Sequence, residues 1–140
     1  MDASDPRTTP DFLSDADRPE LSVVVPVYRN EDSLRELLRR LDLALDGIER
    51  EYVFVVDGSP DRSADVLLEE QAQRPHLVVV ELTRNCGQHA ALSAGFELAR
   101  GRAVGVLDAD LQQDPEDLPR FLEPWRQGHD FVSGWRVSRV

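Results

Sequence analysis

The chain has one cysteine, Cys86, so no intrachain disulfide can form, and a reducing compartment is the natural setting. Cys86 is expected to be a small packing residue rather than a reactive thiol. No stretch approaches the roughly twenty apolar residues of a membrane helix. The opening Met1-Asp2-Ala3-Ser4-Asp5 is acidic and lacks the apolar core of a signal peptide. Clustered basic residues are missing too, and the formal net charge is −11, which argues against a nucleic-acid binder. Internal repeats are absent. These absences predict a soluble, cytoplasmic chain whose acidity is a solvated surface. Any anionic ligand would need a local cation or local arginines.

What is present amounts to one domain. A chain of 140 residues buries about two-thirds of its unfolded surface in a single core. Residues 1–20 are rich in Asp, Pro, Thr and Ser, the composition of a flexible acidic leader, with Phe12 and Leu13 its few apolar groups. The domain is expected over 21–140. Leu21-Ser22-Val23-Val24-Val25 reads as a first strand halted by Pro26. Leu34, Leu37, Leu38, Leu41 and Leu45 then form the apolar stripe of a helix. Tyr52–Val56 is a second strand, ending at the turn Asp57-Gly58-Ser59-Pro60. Ala64, Leu67, Leu68 and Ala72 give the next helix its stripe, and Leu77–Leu82 is a third strand.

From Gln88 to Arg100 two apolar faces, Ala91/Ala94/Gly95/Leu98 and Leu92/Phe96/Ala99, predict a helix packed on more than one side. Val104-Gly105-Val106-Leu107 follows as a strand buried on both faces. Asp114 is expected as the N-cap of a last helix that ends near Gly128, before a short strand over Asp130–Gly134. Alternating strands and helices predict an α/β fold with a mostly parallel sheet and helices on both faces.

Chemistry concentrates where the fourth strand ends, in Asp108-Ala109-Asp110-Leu111-Gln112. Ligands of open α/β sheets bind beyond the carboxyl ends of strands. Two carboxylates one residue apart repel unless a cation lies between them. Mg2+ or Mn2+ suits, because one or two carboxylates hold it while substrate phosphates complete its shell. Tyr28, after strand one, and Asp57, after strand two, stand at the same edge. An aromatic ring and a carboxylate there could meet a base or ribose. His89, at the start of a buried helix, is expected to be structural, and His76 and His129 at element boundaries carry no assignment. A phospho-accepting signalling domain would place carboxylates directly after the first strand, where this chain has Pro26-Val27-Tyr28.

Val25-Pro26-Val27-Tyr28, Val56-Asp57-Gly58-Ser59, Arg84-Asn85-Cys86-Gly87-Gln88-His89 and Asp108-Ala109-Asp110-Leu111-Gln112, in that order, carry a resemblance to the family 2 glycosyltransferases of the Rossmann-like GT-A fold. Within that family the chain looks most like the transferases that charge dolichyl or undecaprenyl phosphate. The resemblance implies a UDP- or GDP-sugar donor, a polyprenyl-phosphate acceptor, inversion at the anomeric carbon and a divalent metal. It implies that Pro26, Val27, Tyr28, Val55 and Asp57 hold the nucleoside, and that Asp108, Ala109 and Asp110 meet ribose and diphosphate. The metal would rest on Asp108, Asp110 and Gln112, and Arg136 would face the phosphates, catalysis falling to Asp108, Asp110 and Arg136. Work at the cytoplasmic face of a membrane and homo-oligomerisation are compatible with it. The chain departs from the family in having Arg29-Asn30 after the tyrosine, Val56 before Asp57, and less sequence after the acid pair than members carry, which suggests the donor-binding part alone.

Overall fold

The computed structural model describes residues 17–129. Strand and helix alternate: β1 Leu21–Val27, α1 Leu34–Ala44, β2 Arg50–Asp57, α2 Ser63–Gln71, β3 Leu77–Leu82, α3 Gln88–Leu98, β4 Ala103–Val106 and α4 Leu118–Arg126. A 3-10 turn, Pro115–Asp117, leads into α4. All strand pairs are parallel, in the order β3-β2-β1-β4. The chain therefore winds outward from β1 to β3, then returns to lay β4 on the other side of β1. That reversal opens a crevice between the carboxyl ends of β1 and β4, the place where doubly wound sheets bind ligands.

Alternation along the strands sorts the core into two layers. Val23, Val25 and Val27 of β1 and Tyr52 and Phe54 of β2 face α1, α2 and α4. The five leucines of the predicted stripe, Leu34, Leu37, Leu38, Leu41 and Leu45, are fully buried there, each contributing roughly 1.5–3 kcal/mol relative to exposure. On the opposite face Val24, Val53 and Val55 meet Ala91 of α3. Gly95 brings α3 down onto the sheet, since a Cβ at that position would overlap Val24 and press on Val55.

Several expectations change. Pro26 does not halt β1, which runs on to Val27 in register with β2. Leu107 N–H donates to Val24 O, so the even-numbered residues of β1 turn their backbone groups toward β4. Ladder pairing with β4 reaches only Val24, and the missing N–H of Pro26 falls where that neighbour has ended. β4 is buried on one face, not two: Val104 and Val106 are 46% and 43% exposed because α3 sits over β1 and β2 instead. For the same reason α3 packs on one side, leaving Phe96 and Leu98 exposed. In α2 the buried residues are Ser63, Val66 and Leu67, while Leu68 points outward. The domain also begins before residue 21. Glu20 N–H donates to Glu49 O, and Pro19 O and Glu20 O accept from Arg102 and Ala103. Phe12, Leu13 and the strand expected over Asp130–Gly134 lie outside the described residues.

Candidate active site

The crevice at the carboxyl edge has a volume of about 410 Å3. β1 supplies Pro26, Val27 and Tyr28, and the loop after β4 supplies Asp108, Ala109 and Asp110. Asp57 closes one wall, with Asn85, Gly87 and Gln88 ahead of and entering α3. Seven of the residues expected at the site thus share one cleft. Val55 does not join them, being fully buried under α3. Gln112 is exposed and does not line the cleft, and Arg136 lies outside the described residues. Asn30, Asn85 and Gln88 also line the cleft; the sequence offers them only as members of the motifs around Tyr28 and over residues 84–89, with no role attached.

Each wall is built by local chemistry. Asp57 is 4% exposed, and its two carboxylate oxygens accept the backbone N–H groups of Cys86 and Gly87 at 2.7 and 3.0 Å. The strand-end acid thereby pins the β3–α3 loop, while each oxygen keeps a lone pair for a ligand. Gly58, at φ +59°, lies so close to the Arg84–Asn85 backbone that any Cβ would collide with it. Cys86 is exposed rather than packed in the core, and His89 is exposed in the first turn of α3.

Tyr28 is 42% exposed, its N–H bonded to Asn30 Oδ1 at 2.9 Å. The Arg29 guanidinium lies 5.4 Å from the Tyr28 ring centroid, a cation–π contact. Arg29 adopts φ +58° and donates its N–H to Ser59 Oγ at 2.8 Å. Ser59 in turn donates to Asp61 at 2.5 Å. Burial would raise the Asp61 pKa, but the Ser59 and Ser63 hydrogen bonds outweigh it and hold the carboxyl low.

The acid loop is tightly wound. Asp108 N–H donates to Gln113 Oε1 at 2.9 Å, and Gln112 N–H donates to Asp110 Oδ1 at 3.0 Å. Leu111 takes the left-handed conformation, φ +63°, to make that turn. Ala109 between the acids is buried, and its carbonyl accepts the Ser33 hydroxyl at 2.6 Å. Asp114, expected to cap the last helix, stands instead at the N-cap position of the 3-10 turn, where its side chain makes no capping hydrogen bond. Asp117 holds that position on α4, and the Asp114 carboxylate reaches Arg40 at 3.3 Å. Arg40 also forks onto Glu116 at 2.9 and 2.7 Å.

Among the described residues no group of three or more His, Cys, Asp or Glu side chains could hold a metal by itself. The Asp108/Asp110 pair is the kind of donor set that holds a hard cation only together with ligand oxygens, which fits Mg2+ or Mn2+ carried in with a diphosphate.

The parallel sheet with its topological switch is shared with glycosyltransferases of the GT-A fold. Comparison places the chain further: residues 22–140 match the model of glycosyl transferase family 2, and the chain belongs to that family. It is 50% identical over 123 residues to the undecaprenyl-phosphate 4-deoxy-4-formamido-L-arabinose transferase of Edwardsiella ictaluri, covering 85% of this chain and 38% of the relative. The Pseudomonas paraeruginosa protein of the same name is 52% identical over 123 residues, with 85% and 36% covered. The chain thus spans little more than a third of these relatives' length. Among solved structures, a mannosyltransferase from Pyrobaculum calidifontis in complex with GDP-Man and Mn2+ superposes with a TM-score of 0.63 at 28% identity, covering 71% of this chain and 30% of that one. S. aureus TarS 1-349 in complex with UDP superposes at 0.59, also 28% identical, over 75% of this chain and 32% of that one. Among the described residues no helix is long and apolar enough to cross a membrane.

Proposed function

We propose that this domain binds the nucleotide-sugar donor of a transferase that moves a sugar onto a polyprenyl phosphate, undecaprenyl phosphate by the names of its relatives. The observation that carries the proposal is the single cleft at the β1/β4 switch point, lined together by Tyr28, Asp57, Asp108 and Asp110. The nucleoside would be met by Tyr28 and Asp57 and its diphosphate by Asp108 and Asp110. Asp108 and Asp110 would hold Mg2+ or Mn2+ together with oxygens of the diphosphate, and Gln112, outside the cleft lining, would join them only if its side chain turns inward on binding. The ion supplies a Lewis acid for the charge that grows on the departing diphosphate.

Arg136, after the described residues, is the natural partner for phosphate oxygens, since its planar fork pairs with them. The acceptor needs little help. A phosphate monoester has its second pKa near 6 and is largely ionised at neutral pH, so an oxygen nucleophile exists without a general base. The chain covers little more than a third of these relatives, so transfer is proposed for a polypeptide that contains this domain.

Calorimetry of the 140-residue chain with UDP or GDP, with and without Mn2+, tests the donor site, beside a sugar-transfer assay on polyprenyl phosphate. Metal-dependent binding of one nucleotide is expected. Binding without transfer marks the chain as the donor-binding part alone, and no binding of either nucleotide overturns the proposal.

A further inference from the structure

Ser33 occupies the N-cap of α1, where a serine hydroxyl ordinarily accepts a hydrogen bond from a first-turn amide. It forms no such cap here. Its hydroxyl is turned out of the helix toward the acid loop, donating to Ala109 O at 2.6 Å, with Asn30 O a longer alternative at 3.1 Å. Ala109 is the buried residue between the two acids. Its carbonyl shares a rigid plane with the amide of Asp110, so fixing that oxygen fixes the plane from which the Asp110 side chain departs. The other bonds described on the pair, Asp108 N–H to Gln113 and Gln112 N–H to Asp110, are local to residues 108–113. Ser33 adds a tie from 76 residues upstream, anchored on a helix whose Leu34, Leu37, Leu38 and Leu41 are fully buried.

We infer that Ser33 is a positioning residue for the Asp108–Asp110 pair: its hydroxyl holds the intervening peptide so that both carboxylates meet one cation–diphosphate unit. The inference rests on the donor-site reading above. Outer groups that orient metal ligands change metal affinity by about 10–100-fold when removed. Ser33→Ala is therefore expected to weaken Mn2+-dependent binding of UDP or GDP about tenfold, and to alter the paramagnetic resonance spectrum of the bound Mn2+. Ser33→Thr, which keeps the hydroxyl, restores both.

A merely structural serine would lower the melting temperature on replacement by alanine without moving the affinity of the folded protein. Should Ser33→Ala fail to fold, Ser33→Gly serves, because N-caps tolerate glycine. If the wild-type chain binds and the hydroxyl-free variant binds equally well with the same spectrum, this inference falls and the donor site stands. It falls equally if threonine is as weak as alanine. A wild-type chain with no metal-dependent binding overturns the donor site and this inference together.

Discussion

At the amino ends of β1 and β2 a hollow of about 430 Å3 is lined in part by Arg50, Glu51, His76 and Arg100, and at their carboxyl ends the cleft measures about 410 Å3. Volume does not distinguish them. Hydrogen bonding does. At the amino edge Glu51 is 3% exposed and accepts Ser22 Oγ and Arg100 N–H, both at 2.6 Å, while Ser22 Oγ accepts from Gly101 N–H at 2.7 Å. On the other face of the sheet Asp42 gathers Tyr52 Oη at 2.8 Å, Arg74 at 2.8 Å and Arg50 at 3.3 Å. These charges are consumed in joining β2 to its neighbours. At the carboxyl edge Asp110 is exposed and takes one local amide, Tyr28 is half open, and among the described residues no ion pair forms on Asp108 or Asp110. Polar groups that satisfy one another build the fold, and polar groups left with capacity at a topological switch are available to a ligand.

The sharpest way to break this contrast is at Glu51. Glu51→Ala leaves the Ser22 hydroxyl and the Arg100 amide without their acceptor in a buried site, a loss of about 3 kcal/mol. Urea denaturation should show it, while nucleotide affinity of the folded fraction stays unchanged. A concurrent fall in affinity would mean the two edges are coupled. The opposite pattern is expected of Asp110→Asn, which should cost about 100-fold or more in Mn2+-dependent nucleotide affinity, equivalent to roughly 2.7 kcal/mol, with the melting temperature held. Calorimetry beside thermal denaturation checks both halves, and unchanged affinity would remove Asp110 from the metal site. Gly58→Ala tests whether the carboxyl edge has its own structural clamp. The new Cβ meets the Arg84–Asn85 backbone at a positive φ, so a loss of about 2 kcal/mol is expected. Weaker nucleotide binding should accompany it as the loop leaves Asp57. A variant that matches wild type in both would show that the loop is free to move.

The contrast was only half legible in the sequence. Alternating apolar runs set the order of elements, and the leucine stripe of α1 is buried as its spacing required. The acids at strand ends gather in one cleft because parallel strands put all their carboxyl ends on one side. What could not be read is which apolar surface is covered. Val104 and Val106 look like a core strand, yet their burial depends on whether α3 lies over β4, and Gly95 seats it over β1 and β2. Pro26 signals a strand end only if both neighbouring strands still need its N–H, and one has already stopped. Asp57 carried the signal of a turn residue, but its grip on Cys86 and Gly87 depends on a loop 29–30 residues away. Ser33 was invisible for the same reason, its acceptor lying 76 residues downstream.

The smallest expected effect sits at the amino edge and concerns pH. His76 stacks edge-on against Tyr52, ring centroids 4.9 Å apart, and its Nε2 is buried without a hydrogen-bond partner among the described residues, 3.7 Å from Asp42 Oδ1. Burial, reinforced by the Arg50 charge, lowers its pKa below the ordinary 6.5 in spite of Asp42. A histidine that resists protonation in the fold leaves the unfolded chain binding more protons, so stability is full above pH 6.5 and falls as pH drops from there toward the folded-state pKa. Asp42 adds a second, lower window. Burial would raise its pKa, but Tyr52, Arg74 and Arg50 together hold it below the ordinary 3.8, and that stability is lost only as pH falls past this value. His76→Phe keeps a ring against Tyr52 and removes the upper window alone. Between pH 7.5 and 5.5 the wild-type chain should lose about 1 kcal/mol or less at this site, and the variant should lose less than wild type over the same interval. Urea midpoints at the two pH values decide it: an equal decline in both proteins would show that this histidine does not set the pH response of the amino edge.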